Sequence, residues 1–149
     1  MSIVNDFNEI ELHCHTDWNY SWSVAREVYE KFPDGYTVLT AFAFSYLEEL
    51  IRSTTSEYGL SFDEKGMLRE YKVGYNLLKF AIDENRNNPK LVVLLETIKS
   101  YYPKNFDISG YKDNRNSIMH GYTHANFWNK KSFVRLIKDI ALLSKYAKQ

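Results

Sequence analysis

Residues 37–58, TVLTAFAFSYLEELIRSTTSEY, decide the fold class of this chain. Apolar side chains recur in this stretch three and four positions apart, which places them along one face of an α-helix. That face consists of Leu39, Phe42, Ala43, Tyr46, Leu47, Leu50 and Ile51. The pattern ends before Gly59, so we predict one helix over residues 37–58 that buries a wide apolar stripe.

Two flanking segments show similar helix signals. We predict a short helix over residues 23–31, which Pro33-Asp34-Gly35 stops. Ser61-Phe62-Asp63-Glu64 matches a capping box and predicts a helix that continues to about residue 87. Within that helix, Gly66 and Gly74 are each expected to cost up to ~1 kcal/mol relative to alanine.

The second half of the chain continues the helical pattern. Asn88 is a suitable N-cap and Pro89 a suitable first residue for a helix over residues 88–102. A short helix over residues 112–120 and a longer one over residues 131–147 follow. The first twenty residues show no clear period, and we expect Trp18, Tyr20 and Trp22 to pack onto the body.

Length and composition indicate a single globular domain. The chain has 149 residues, 44% of them hydrophobic and 16% aromatic, which is enough to bury a sizeable core. No segment alternates like a β-strand, and no repeat or linker divides the chain. We therefore expect one all-α domain over residues 1–149, an up-and-down bundle of four to five helices.

The sequence also predicts where the protein resides. Its first residues, MSIVNDFNEIE, lack the basic and apolar regions of a signal peptide, and no apolar run approaches the length of a membrane span. The single cysteine, Cys14, rules out an intrachain disulfide and fits a reducing compartment. We expect a cytoplasmic protein without a membrane segment.

Charge is unevenly distributed although the formal net charge is zero. Residues 1–64 hold 12 acidic and 3 basic side chains, whereas residues 65–149 hold 7 acidic and 16 basic side chains. A basic half could meet a polyanion such as RNA, or it could meet the acidic half of a second copy. The distribution therefore supports a nucleic-acid substrate only weakly.

The main candidate site is the segment Arg115-Asn116-Ser117-Ile118-Met119-His120-Gly121-Tyr122. Imidazole exchanges protons near neutral pH, and the planar guanidinium group matches a phosphate. A plain helix end is the alternative, since a terminal His followed by Gly is a common C-cap. On one straight helix Asn116 and His120 share a face, but Arg115 and His120 point about 140° apart. A bend in the last turn, an Arg115 side chain that reaches around the helix, or a second chain would have to unite them.

This segment resembles the R-x(4–6)-H signature of HEPN domains, a family of small helical proteins rich in RNases and toxins. The resemblance implies a homodimer in which the two motifs face one cleft. His120 would act as general acid or base, Arg115 would hold the scissile phosphate, and Asn116 would orient the phosphate or the imidazole. The 2′-hydroxyl of the RNA would attack its own phosphorus and leave a 2′,3′-cyclic phosphate, without a metal or other cofactor.

Tyr122 extends the match to R-x4-H-x-Y, the form found in HEPN toxins paired with a nucleotidyltransferase-type antitoxin. The resemblance implies that the antitoxin adenylylates this tyrosine, although the chain has 12 tyrosines and the match can be accidental. Some HEPN proteins also carry a supporting acidic residue on an earlier helix, and Glu49 is the candidate. Its neighbour Glu48 is expected to form an i, i+4 surface ion pair with Arg52.

A second constellation, His13-Cys14-His15, resembles the opening H-x-H of PHP-type metallophosphoesterases. That fold requires further His and Asp ligands on a longer α/β chain, and here only His120 and His124 remain. We therefore expect no functional metal site. The function that we expect is a metal-independent endoribonuclease, a toxin or phage-defence effector; the alternatives are a non-catalytic HEPN-like dimeric interaction or nucleotide-binding module and a plain helical adaptor.

Overall fold

The computed structural model describes residues 2–103, 115–119 and 128–148. Its α-helices are α1 (Ile3–His13), α2 (Thr16–Lys31), α3 (Tyr36–Ser53), α4 (Gly74–Glu84), α5 (Pro89–Ile98), α6 (Arg115–Met119) and α7 (Lys130–Ser144). Short 3₁₀ helices at Pro33–Gly35 and Lys99–Tyr101 precede α3 and extend α5. The predicted all-α class is confirmed for the described residues, in which no element is a β-strand.

The central helix α3 and the last helix α7 organise the core. Helix α7 packs against α1, α3 and α5, while α3 also contacts α4 and α6. The largest side chains that are fully buried between these helices are Trp22, Tyr102, Phe7, Phe44 and Phe133. Aromatic rings meet edge to face within this core, as Trp22 and Tyr46 do with centroids 5.1 Å apart.

The N-terminal segment is more regular than we predicted. Instead of one short helix over residues 23–31, it forms α1 and α2, which join at Cys14 and His15. His15 caps α2, because its Nδ1 accepts the backbone N–H of Asp17 at 3.3 Å. Trp22 is buried as expected, whereas Tyr20 remains 77% exposed and does not pack onto the body.

Our prediction of one helix over residues 61–87 was wrong for its first half, where the structure has no helix. Asp63 does not serve a capping box: its Oδ1 accepts the backbone N–H groups of Lys65 and Met67, each at 2.9 Å, and so closes a turn. Gly66, at φ 74°, permits the reversal, and Phe62 and Leu68 form an isolated antiparallel bridge. Helix α4 begins only at Gly74.

Helix α3 ends at Ser53, five residues earlier than predicted. The hydroxyls of Ser53, Thr54 and Thr55 donate to carbonyls three residues back, at 2.6–2.8 Å, and compete with helical continuation. Glu84 then accepts both the N–H and the hydroxyl of Ser56. The predictions for residues 88–102 and 131–147 are confirmed to within three residues by α5 with its 3₁₀ extension and by α7.

No helix in the described part of the chain is both long and apolar enough to cross a membrane.

Candidate functional site

The candidate site is built on α6, a five-residue helix that begins at Arg115. Ile118, three positions later and therefore on the same side of the helix, is 5% exposed and anchors α6 to the core. This anchor turns Arg115 toward α3, which α6 contacts directly. The local sequence thus supplies one apolar contact that fixes where the guanidinium group lies.

Arg115 forms an ion pair with Glu48 of α3. An Nη atom of Arg115 donates to Oε2 of Glu48 at 2.5 Å, and the two side chains are only 16% and 13% exposed. The other carboxylate oxygen of Glu48 accepts the backbone N–H of Gly74 at 2.9 Å. One carboxylate therefore connects α3, the start of α4 and α6. Our prediction that Glu48 pairs with Arg52 was wrong.

Tyr102 lies beneath this ion pair. The guanidinium carbon of Arg115 is 6.0 Å from the centroid of its ring, and the tyrosine is 1% exposed. Burial raises the pKa of the Tyr102 phenol, and the negative charge of Glu48 raises it further, while Arg115 and Arg52 oppose this effect. Tyr102 therefore stays protonated, and its ring forms a cation–π contact with the Arg115 guanidinium group.

Arg115 also borders an open cleft of about 330 Å³. Its lining comprises Trp18 from α2, Ser45, Glu48, Glu49 and Arg52 from α3, and Arg115 and Met119 from α6. Two guanidinium groups and two carboxylates thus meet in the cleft, and their formal charges balance. Arg52 pairs with Glu49 at 3.7 Å.

The sequence-predicted residues fall into two groups. Arg115 and Glu49 lie in the same cleft, and Asn116 is on α6, with its side chain outside the described part of the chain. His120 and Tyr122 also lie outside the described residues. Their predicted roles therefore stay predictions.

Sequence reasoning missed Glu48, Arg52 and Trp18 as members of this site. A signal for the α3 residues was present, because Ser45, Glu48, Glu49 and Arg52 occupy positions i, i+3, i+4 and i+7 of an otherwise apolar helix. A polar stripe of this kind is also the ordinary solvent face of an amphipathic helix, so the pattern alone did not distinguish a cleft from a plain surface. Trp18 gave no comparable signal.

His13 and His15 lie at the junction of α1 and α2. His13 is 3.6 Å from Glu9, and the Cys14 thiol donates to the carbonyl of Glu11. Burial raises the pKa of the Cys14 thiol, which makes the thiolate needed for metal binding harder to form. The described residues contain no group of three or more His, Cys, Asp or Glu side chains that could hold a metal ion.

The sequence matches no model of a known protein family, no curated protein and no solved structure. The function of the protein is therefore inferred from the geometry of the cleft and from the motif around Arg115.

Proposed function

We propose that this protein is a metal-independent endoribonuclease of the HEPN type, a toxin or phage-defence effector that folds as a HEPN-like bundle and acts as a homodimer in the cytoplasm. The observation that supports the proposal most is the position of Arg115. Its guanidinium group is held at the wall of an open cleft by Glu48 and backed by Tyr102. Preorganised cations of this kind stabilise the charge that develops on a phosphate.

In this proposal the two motifs of the dimer meet in one cleft. His120 exchanges the proton of the attacking 2′-hydroxyl or of the leaving oxygen, and Asn116 orients the phosphate or the imidazole. A second chain would also resolve the angle of about 140° between Arg115 and His120 on one straight helix. Tyr122 would be the residue that a nucleotidyltransferase-type antitoxin adenylylates.

The test is cleavage of labelled RNA by purified protein in EDTA. We expect His120→Ala to lose about 10²–10⁴-fold in rate, the usual contribution of general acid–base catalysis, and wild type to leave 2′,3′-cyclic phosphate ends. His124→Ala is the matched control, since it removes a histidine four positions later in the sequence and outside the motif. Full cleavage by folded His120→Ala protein would rule out this function.

A non-catalytic interaction or nucleotide-binding module is the second candidate. It is favoured by the Glu48–Arg115 ion pair, which is largely buried and neutralises the cation that a phosphate would need. In that case the wild type would leave RNA intact, and Arg115→Ala would lower only the stability. Unfolding and cleavage assays on the same variant separate the two functions.

A further inference from the structure

Glu49 and Arg52 lie side by side in the cleft without a close hydrogen bond. Their nearest nitrogen and oxygen atoms are 3.7 Å apart, and the Glu49 side chain is 37% exposed. Among the described residues, none donates a hydrogen bond to the Glu49 carboxylate. Both of its oxygens can therefore accept hydrogen bonds from a ligand.

Arg52 is held in place for such a ligand. One of its terminal nitrogens donates to the carbonyl of Lys72 at 2.9 Å, and its guanidinium carbon lies 5.2 Å from the ring centroid of Tyr71. The side chain is only 15% exposed. The second terminal nitrogen, which is the one near Glu49, is thus a fixed donor beside a carboxylate.

Trp18 adds a flat apolar wall. Its ring packs against Tyr46, with centroids 4.9 Å apart, and against Phe42 at 6.0 Å, so its orientation is fixed. The half-buried indole still borders the cleft, which Met119 borders from α6. An aromatic side chain of this kind stacks on a nucleobase.

We propose that this cleft binds a guanine base. The base would stack on Trp18, its N1–H and N2–H groups would donate to the two oxygens of Glu49, and its O6 would accept from Arg52. The hydrogen-bonding edge of guanine presents two adjacent N–H donors beside a carbonyl acceptor. The same edge of adenine or cytosine has a single amino group as its donor, and that of uracil has one N–H between two carbonyls. A volume of about 330 Å³ is within the range of small-ligand sites.

This inference deepens the proposed function, on which it rests for the role of guanine in cleavage, but binding itself needs no cleavage. The experiment is a calorimetric titration of the His120→Ala protein with guanosine, inosine and adenosine monophosphates, which measures the affinity for each nucleotide. Inosine monophosphate lacks only the 2-amino group. We expect guanosine monophosphate to bind about 10- to 100-fold tighter than inosine monophosphate, since one hydrogen bond to a charged group is lost.

Two variants locate the site. Glu49→Gln replaces one acceptor oxygen by a donor and should remove the preference for guanosine over inosine monophosphate. Glu30→Gln, on the exposed part of α2, is the matched control and should retain it. Guanosine monophosphate should quench the tryptophan fluorescence of the wild type. Trp18→Phe should still bind the nucleotide but lose this quenching, because Trp22 is fully buried and Trp128 lines a different cavity.

Equal affinity for the three nucleotides, or a guanine preference that survives Glu49→Gln in folded protein, would overturn the inference. RNA cleavage by the wild type together with equal affinity of the His120→Ala protein for the three nucleotides would overturn it and leave the nuclease intact. Guanine binding without any RNA cleavage would support it and remove the nuclease.

Discussion

Oε2 of Glu48 lies 2.5 Å from an Nη atom of Arg115, while Oε1 of the same carboxylate accepts the N–H of Gly74 at 2.9 Å. These contacts join residues that are 67 and 26 positions apart in the chain. Glu48 therefore sets both the position of Arg115 in the cleft and the start of α4. A structural change at Glu48 reaches the candidate site through this pair.

Glu48→Gln should lower the free energy of unfolding by about 1–3 kcal/mol, because a mostly buried guanidinium loses its counter-charge. Glu49→Gln is the matched control on the same helix; its carboxylate is more exposed and loosely paired, so the change should stay within about 0.5 kcal/mol. Urea unfolding measures both values. A double-mutant cycle with Arg115→Met should show positive coupling, and additive effects would contradict the pairing.

Gly74→Ala should destabilise the protein by about 1–2 kcal/mol through backbone strain. The φ angle of Gly74 is 55°, in the left-handed region that side chains rarely adopt. An added Cβ would not clash, because its nearest neighbour, Arg115, would be 3.9 Å away. Gly66→Ala, at φ 74° with no atom within 4 Å of the added Cβ, should cost a similar amount. Thermal unfolding would compare them; a neutral Gly74→Ala would contradict the strain.

Two adjacent tyrosines should respond differently to loss of their hydroxyls. Tyr101 donates to the buried carboxylate of Asp139 at 2.7 Å, so Tyr101→Phe should cost about 1–3 kcal/mol. The buried Tyr102 hydroxyl has no hydrogen-bond partner among the described residues, so Tyr102→Phe should be neutral or slightly stabilising. Chemical unfolding of the two variants tests this contrast, and equal losses would refute it.

Glu57 should contribute to stability only above acidic pH. Burial alone would raise the pKa of this 4% exposed carboxylate, but Lys72, whose Nζ lies 2.8 Å away and whose backbone N–H also donates, lowers it below the ordinary value. Because the folded-state pKa is the lower one, the stabilisation is complete above the unfolded pKa of about 4.3 and disappears as pH falls through the folded value.

Glu57→Gln should therefore cost about 1–2 kcal/mol at pH 7, and the difference from wild type should shrink toward pH 3. Unfolding free energies measured across this range would show the convergence. Glu27→Gln serves as the control. Hydrogen bonding to Lys31 also lowers the pKa of Glu27, but that pair is exposed to solvent, so its loss should change the stability little at any pH. A constant difference between wild type and Glu57→Gln at every pH would contradict the assignment.

The sequence determined the helices whose signals are local. The apolar spacing of α3, the Asn88-Pro89 start of α5 and the stripe of α7 each depend on residues within a few turns of one another. The motif around Arg115 could also be recognised from the sequence, because its eight residues are consecutive. Local signals misled us at residues 61–64, where the Asp63 side chain captured backbone N–H groups that a helix would have used.

Only the tertiary structure decided which partners surround Arg115. Glu48 and Glu49 are adjacent and chemically identical, yet Glu48 is the one that pairs with Arg115, because of the way in which α6 packs against α3. Arg52 and Trp18 join the same cleft from different helices. Contacts between distant helices depend on how whole apolar faces pack, which no local pattern of residues specifies.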